Sequence, residues 1–173
     1  MQTRRTTTTT RTLASSFVAL VALSATIAVA QVAKSPLLVP LEVVRVSSEV
    51  QDGKTVEVFL KAGTAQPGYV LEYRLRTVNT SERSLRGVRA DLPIPAGTEY
   101  LPGTATTAAG AMLLASLDGK SFATLPLKRT VTRGGKAVEE TVPANEYRAL
   151  RWSLTGELPA GSTQEFKARV KVK

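Results

Sequence analysis

Tyr69-Val-Leu-Glu-Tyr-Arg-Leu-Arg-Thr-Val-Asn79 alternates apolar and polar residues: Tyr69, Leu71, Tyr73 and Leu75 fall on one face, and Val70, Glu72, Arg74 and Arg76 on the other. A period of two is the signature of an extended chain whose successive side chains point to opposite faces, so the stretch reads as a half-buried strand. The same pattern recurs in Arg148-Ala-Leu-Arg-Trp-Ser-Leu154, where Leu150, Trp152 and Leu154 share a face. It returns at the C-terminus, where Phe166, Ala168, Val170 and Val172 alternate with Lys167, Arg169, Lys171 and Lys173.

Upstream, Leu41 to Val46 and Thr55 to Lys61 flank Gln51-Asp-Gly-Lys54, whose Asp-Gly pair is a hairpin signal. Leu85 to Leu92 reads as a strand closed by Pro93 and Pro95. Further hairpins are expected to turn at Asp118-Gly119 and at Gly134-Gly135, the latter between Leu127-to-Thr132 and Ala137-to-Val142. Residues 127–145 carry charges, two glycines and few large apolar residues, and read as an insertion or a long hairpin standing off the main body. No segment has the spacing of an amphipathic helix. Turn signals recur at roughly ten-residue intervals, and about seven to nine short strands at that spacing imply an all-β, antiparallel β-sandwich of immunoglobulin-like type.

Residues 1–30 have a different character. Arg4, Arg5 and Arg11 precede the apolar block Leu13 to Ala30, which ends Ala28-Val29-Ala30 before Gln31. A basic start, an apolar centre and a small-x-small ending form the plan of a secretory signal peptide, with the mature chain starting at Gln31. Five threonines follow the Arg4-Arg5 pair where a twin-arginine signal has a hydrophobic residue, so the general route is expected. The block reaches the roughly twenty residues of a membrane span only if its serines and threonine are counted. Membrane attachment is therefore expected only if the segment is retained.

The leader holds three of the 23 Lys+Arg and none of the 14 Asp+Glu, which leaves twenty basic and fourteen acidic residues, a net +6, in 31–173. Such a balance favours anionic wall polymers, anionic lipid headgroups or nucleic acid, and equally suits a soluble surface with charge away from zero. Cysteine and histidine are both absent. The fold must hold by packing without disulfides, and thiol, Ser-His-Asp and Cys/His zinc chemistry are excluded.

The segment from about Gln66 to Lys173 resembles a bacterial extracellular module, the DUF11 or conserved repeat domain. The resemblance rests on Pro67-Gly68-Tyr-Val-Leu-Glu-Tyr73, Arg76-Thr-Val-Asn79-Thr80, Val88-Arg-Ala-Asp91-Leu-Pro93, Ile94-Pro95-Ala-Gly97-Thr-Glu-Tyr100 and Pro102-Gly-Thr-Ala105. Leu150-Arg-Trp152, Leu158-Pro-Ala-Gly161 and Phe166-Lys-Ala-Arg-Val170 extend it to the last strand. It implies an exported immunoglobulin-like sandwich at the cell surface or in the envelope, with no catalytic set. Residues 31–65 then form a lead-in hairpin or N-terminal strands.

Candidate site residues are few. Trp152, between Leu150 and Leu154, is expected in the core; a sugar-stacking platform would need it exposed. Lys167, Arg169, Lys171 and Lys173 form a basic row suited to an anionic envelope polymer; on an edge strand, the same lysines would discourage edge-to-edge pairing. Glu139 and Glu140 are adjacent, point to opposite faces of a strand and cannot act as an acid/base pair. Asp91 reads as a turn former, and Asn79-Thr80-Ser81 fits a glycosylation acceptor that a bacterial chain would leave unused. No cofactor, metal loop or nucleic-acid interface is indicated. Three function classes follow: a non-enzymatic envelope or surface module that contacts other envelope proteins or anionic wall polymer, a carbohydrate-binding module, and a carboxylate-only enzyme. The last requires two carboxyl groups about 5–10 Å apart in a cleft.

Overall fold

The computed structural model describes residues 35–107 and 110–173; the expected leader, 1–30, lies outside them. The described chain is all-β. Its strands are β1 (Leu37–Leu38), β2 (Leu41–Gln51), β3 (Lys54–Lys61), β4 (Val70–Asn79), β5 (Arg89–Pro93) and β6 (Thr98–Tyr100), followed by β7 (Ala111–Ser116), β8 (Ala123–Thr124), β9 (Lys128–Arg133), β10 (Lys136–Thr141), β11 (Ala149–Leu154) and β12 (Thr163–Val172). One sheet has the order β3-β2-β4-β12-β6, with β1 also on β4, and the other has the order β5-β11-β7-β8. Every pairing is antiparallel.

Tyr69 to Asn79 forms β4 from Val70 onward, and its apolar face is buried as expected. Leu71, Tyr73 and Leu75 from β4 join Phe166, Ala168 and Val170 from β12 in one core with Ala90, Leu92, Ala115, Leu150 and Trp152 of the facing sheet. Trp152 has no exposed surface. Its ring stacks on Phe166 at 5.4 Å between centroids, and its indole N–H donates to the Thr106 carbonyl at 2.8 Å. Pairing the one polar atom of a buried aromatic removes the main cost of burying it.

The Asp-Gly hairpin forms between β2 and β3, with Asp52 at φ 50° and Gly53 at φ 75°, the left-handed pair that a two-residue hairpin turn needs. Beyond Val46, β2 leaves β4 and continues with β3 alone as a two-stranded ribbon. The strand expected over Leu85 to Leu92 begins only at Arg89, because Gly87 takes φ 64° and breaks the extended run; Leu85 instead bridges Leu158. Asp91 is not a turn residue. It lies within β5 opposite Arg151, whose Nε and Nη2 donate to its two carboxylate oxygens at 2.6 Å.

β12 is an interior strand flanked by β4 and β6, so its basic row does not guard an edge. β9 and β10 pair only with each other, through the expected Gly134-Gly135 turn, and form a separate two-stranded sheet. The hairpin is nevertheless rooted: Leu127 and Val142 at its base, and Tyr147 beyond it, are buried in the core. Glu139 bonds Lys128, and Glu140 bonds Arg129 and Arg133, so the two adjacent carboxylates have separate partners.

Asn79 is fully buried and closes β4. Its Nδ2 approaches the carbonyls of Arg83, Leu158 and Pro159 at 2.7, 2.9 and 3.0 Å, and its Oδ1 accepts from the Ser81 backbone N–H and hydroxyl at 3.0 and 2.7 Å. This amide ties the β4–β5 connection to the turn that leads into β12. An amide so enclosed is no glycosylation acceptor in the folded chain.

Candidate functional site

The outer face of the larger sheet gathers charged residues in register. Crossing from β2 through β4 and β12, one rung holds Glu42, Arg74 and Lys167, the next Val44, Glu72 and Arg169, and the next Val46, Val70 and Lys171, which is followed by Glu99 on β6. The segment after β6 completes the lower rungs with hydroxyls. Thr104 Oγ1 accepts from the Arg169 backbone N–H, and Thr106 Oγ1 accepts from that of Lys167, both at 3.0 Å. Two side chains thus stand in for the main-chain partners that a regular edge strand would supply.

Glu72 is the unusual member of this face, with 4% of its surface exposed. Its two oxygens accept from Arg74 Nε and Arg169 Nε, both at 2.8 Å. Burial is the largest influence on this carboxyl and pushes its pKa up. The bonds and charges of the two arginines together outweigh it and hold the group below its ordinary 4.5. Arg169 Nη1 and Nη2 both donate to Glu57 at 2.7 Å. That bond is the main cause of the lowered Glu57 pKa, and it raises that of Arg169. Glu57 belongs to the β2–β3 ribbon, so the ribbon reaches back over the sheet. Two residues along β3, Phe59 meets the Arg74 guanidinium at 4.7 Å from its ring centroid, a cation–π contact.

A groove of about 450 Å³ lies under this overhang, bordered by Phe59, Glu72, Arg74, Gly103, Thr104, Thr106, Lys167 and Arg169. The basic row therefore does not act as one unit. Arg169 is committed to two carboxylates, Lys167 borders the groove and pairs with Glu165 at 2.9 Å, Lys171 stands opposite Glu99, and Lys173 ends the chain. Glu57, Phe59, Glu72, Arg74, Thr104 and Thr106 were not singled out by the sequence reading. The available signal was Phe59, an aromatic on the otherwise polar side of its strand, beside Thr55, Glu57 and Lys61.

The fold brings together two carboxylates, Glu57 and Glu72, on a single guanidinium, and both are held ionised. Among the described residues, no group of three or more Asp or Glu side chains gathers as a metal site. No family model, curated protein or solved structure matches the chain.

Proposed function

We propose that the chain is an exported, non-enzymatic sandwich of immunoglobulin-like type that serves the cell envelope or surface as a structural or interaction module, in contact with other envelope proteins or with anionic wall polymer. The observation that bears on the non-enzymatic part of this reading is the Glu57–Arg169–Glu72 linkage. A glycosidase-type pair needs one carboxyl held protonated as an acid, which requires a raised pKa. Here, both carboxyls are lowered and serve as structural ties. The leader plan of residues 1–30 and the resemblance of Gln66 to Lys173 to the conserved repeat domain point the same way. Fractionating the native host and crosslinking the chain to its neighbours tests it. The expected result is recovery with envelope or secreted material and crosslinks to envelope components; a cytosolic chain with cytosolic neighbours would overturn it.

A second reading, a carbohydrate or wall-polymer binding module, is favoured by one observation: the groove beside Phe59 joins an aromatic ring, hydroxyls and cations.

A further inference from the structure

The charges around the groove differ in how far their partners satisfy them. Every guanidinium nitrogen of Arg169 donates to Glu57 or Glu72. Arg74 gives its Nε to Glu72 and otherwise has only a long, 3.9 Å approach of Nη1 to the exposed Glu42. Lys167 meets Glu165 two residues along its own strand, with both side chains substantially exposed, and such surface pairs are weak. Arg74 and Lys167 are direct cross-strand partners. Like charges in that position repel and destabilise a sheet. The pair is thus two cations in register in one groove: Arg74 is tied to the buried Glu72 through Nε alone and Lys167 to the exposed Glu165, which leaves the Arg74 Nη groups with no short ion pair among the described residues.

Phe59 lies at the rim with 48% of its surface exposed although Arg74 already contacts its ring. Thr104 and Thr106, fixed by their bonds to the β12 backbone, line the opposite side. An anionic group would relieve the Arg74–Lys167 repulsion. An apolar ring face beside that group would cover Phe59, and adjoining hydroxyls would reach the threonines. An anionic saccharide has all three features.

We propose that this groove binds an anionic saccharide unit, its carboxylate or phosphate bridging Arg74 and Lys167 and its ring lying against Phe59. The proposal rests on the polymer-binding reading and narrows it: the recognising cations are Arg74 and Lys167, and the basic row of β12 as a whole is not the determinant. Arg74, on a neighbouring strand, belongs to the site, whereas Lys171 and Lys173 do not.

Calorimetric titration of the full chain at low salt tests this with three probes: an oligogalacturonate for the carboxylate, a phosphorylated maltooligosaccharide for the phosphate, and an unmodified maltooligosaccharide as the neutral ring. At least one acidic probe is expected to bind, far more tightly than the neutral one, and to weaken as salt rises. Which acidic probe wins identifies the anion. The Arg74→Gln/Lys167→Gln chain is expected to lose about tenfold in affinity, and Phe59→Ala several-fold. Lys171→Gln/Lys173→Gln, which removes the same total charge from the same sheet, is expected to change affinity by less than about threefold. Should the first double variant fail to fold, Lys167→Gln alone, at a substantially exposed side chain, carries the same comparison. Equal loss in both double variants, equal binding of the neutral probe, or no binding of either acidic probe would each overturn the proposal. Cytosolic recovery of the chain would defeat the envelope reading separately, without altering these titrations.

Discussion

Arg169 grips both carboxylate oxygens of Glu57 at 2.7 Å, joining the β2–β3 ribbon to the strand that ends the chain, 112 residues away in sequence. The ribbon has left β4 by this point, so side chains rather than main-chain bonds hold it over the sheet. Glu57→Ala is therefore expected to free the ribbon while leaving the sandwich folded. Amide exchange in residues 55–59 should accelerate with little change in the melting temperature. Unchanged exchange there would mean that Phe59 on Arg74 suffices to hold it.

Arg169→Ala removes the same clasp and also strips one of two partners from the buried Glu72. Breaking a buried ion pair costs more than breaking a surface pair, because a carboxylate is left in poor solvation. We expect about 2–3 kcal/mol of lost stability in urea unfolding. Glu72→Gln, which also removes the buried charge, should be milder than Arg169→Ala. The reverse order would show that repulsion between the two arginines outweighs desolvation of the carboxylate.

Trp152→Ala should cost about 3–5 kcal/mol, the range for emptying a buried aromatic site. The loss combines the Phe166 stack with the indole bond to Thr106. Trp152 is the only tryptophan in the chain, so fluorescence reports it directly. Emission should be blue-shifted in the native state and move to longer wavelength on unfolding. Native emission characteristic of a water-exposed indole would refute the packing.

Thr77 is fully buried on the core side of β4, and its hydroxyl meets no hydrogen-bond partner among the described residues. Thr77→Val keeps the shape and removes the unpaired polar atom, so it should stabilise the chain by about 1 kcal/mol. Asn79, two residues on, should behave in the opposite way. Asn79→Ala leaves the carbonyls of Arg83, Leu158 and Pro159 without their shared donor and should destabilise by about 2–3 kcal/mol. Thermal melts of the two variants should move in opposite directions.

Glu57, Glu72, Asp118 and Glu140 all have carboxyls held below their ordinary values. Arg169 lowers Glu57, Arg74 and Arg169 overcome burial at Glu72, the backbone N–H groups of Lys120 and Ser121 hold Asp118, and Arg129 holds Glu140. A depressed folded-state pKa contributes stability that is complete above the unfolded value, about 4.3 for Glu. That contribution is lost as pH falls through the folded value. With no histidine in the chain, stability should be nearly flat between about pH 6 and 8. It should fall below about pH 4. Glu72→Gln should reduce the acid slope; an unchanged slope would show that Glu72 is not among the groups responsible.

The strands were legible because period two is written directly into the residues. Tyr69 to Asn79 alternates whatever its partners are, and Asp52-Gly53 and Gly134-Gly135 name their own turns. Pairing order was not legible: nothing local in Phe166 to Lys173 says that β6 will cover its far side, so an edge reading was open. Asp91 misled because proline follows closely, yet Arg151 fixes it inside a strand. The groove was invisible for a related reason. Glu72 and Arg74 were correctly assigned to the outer face, but their burial depends on a ribbon that bends back over them, and no residue pattern encodes that bend. Without an overhang, Lys167, Arg169, Lys171 and Lys173 look equivalent; with it, Arg169 becomes a clasp, while the β4–β12 register sets Lys167 beside Arg74.

The envelope-module reading depends on export. Its most direct test is fractionation of the native host, with intact-mass measurement of the recovered chain. The account predicts recovery from envelope or secreted fractions, either as a chain beginning at Gln31 or, if the apolar segment is kept, as the full chain in the membrane fraction. A full-length chain in the cytosol, starting at Met1, would contradict it.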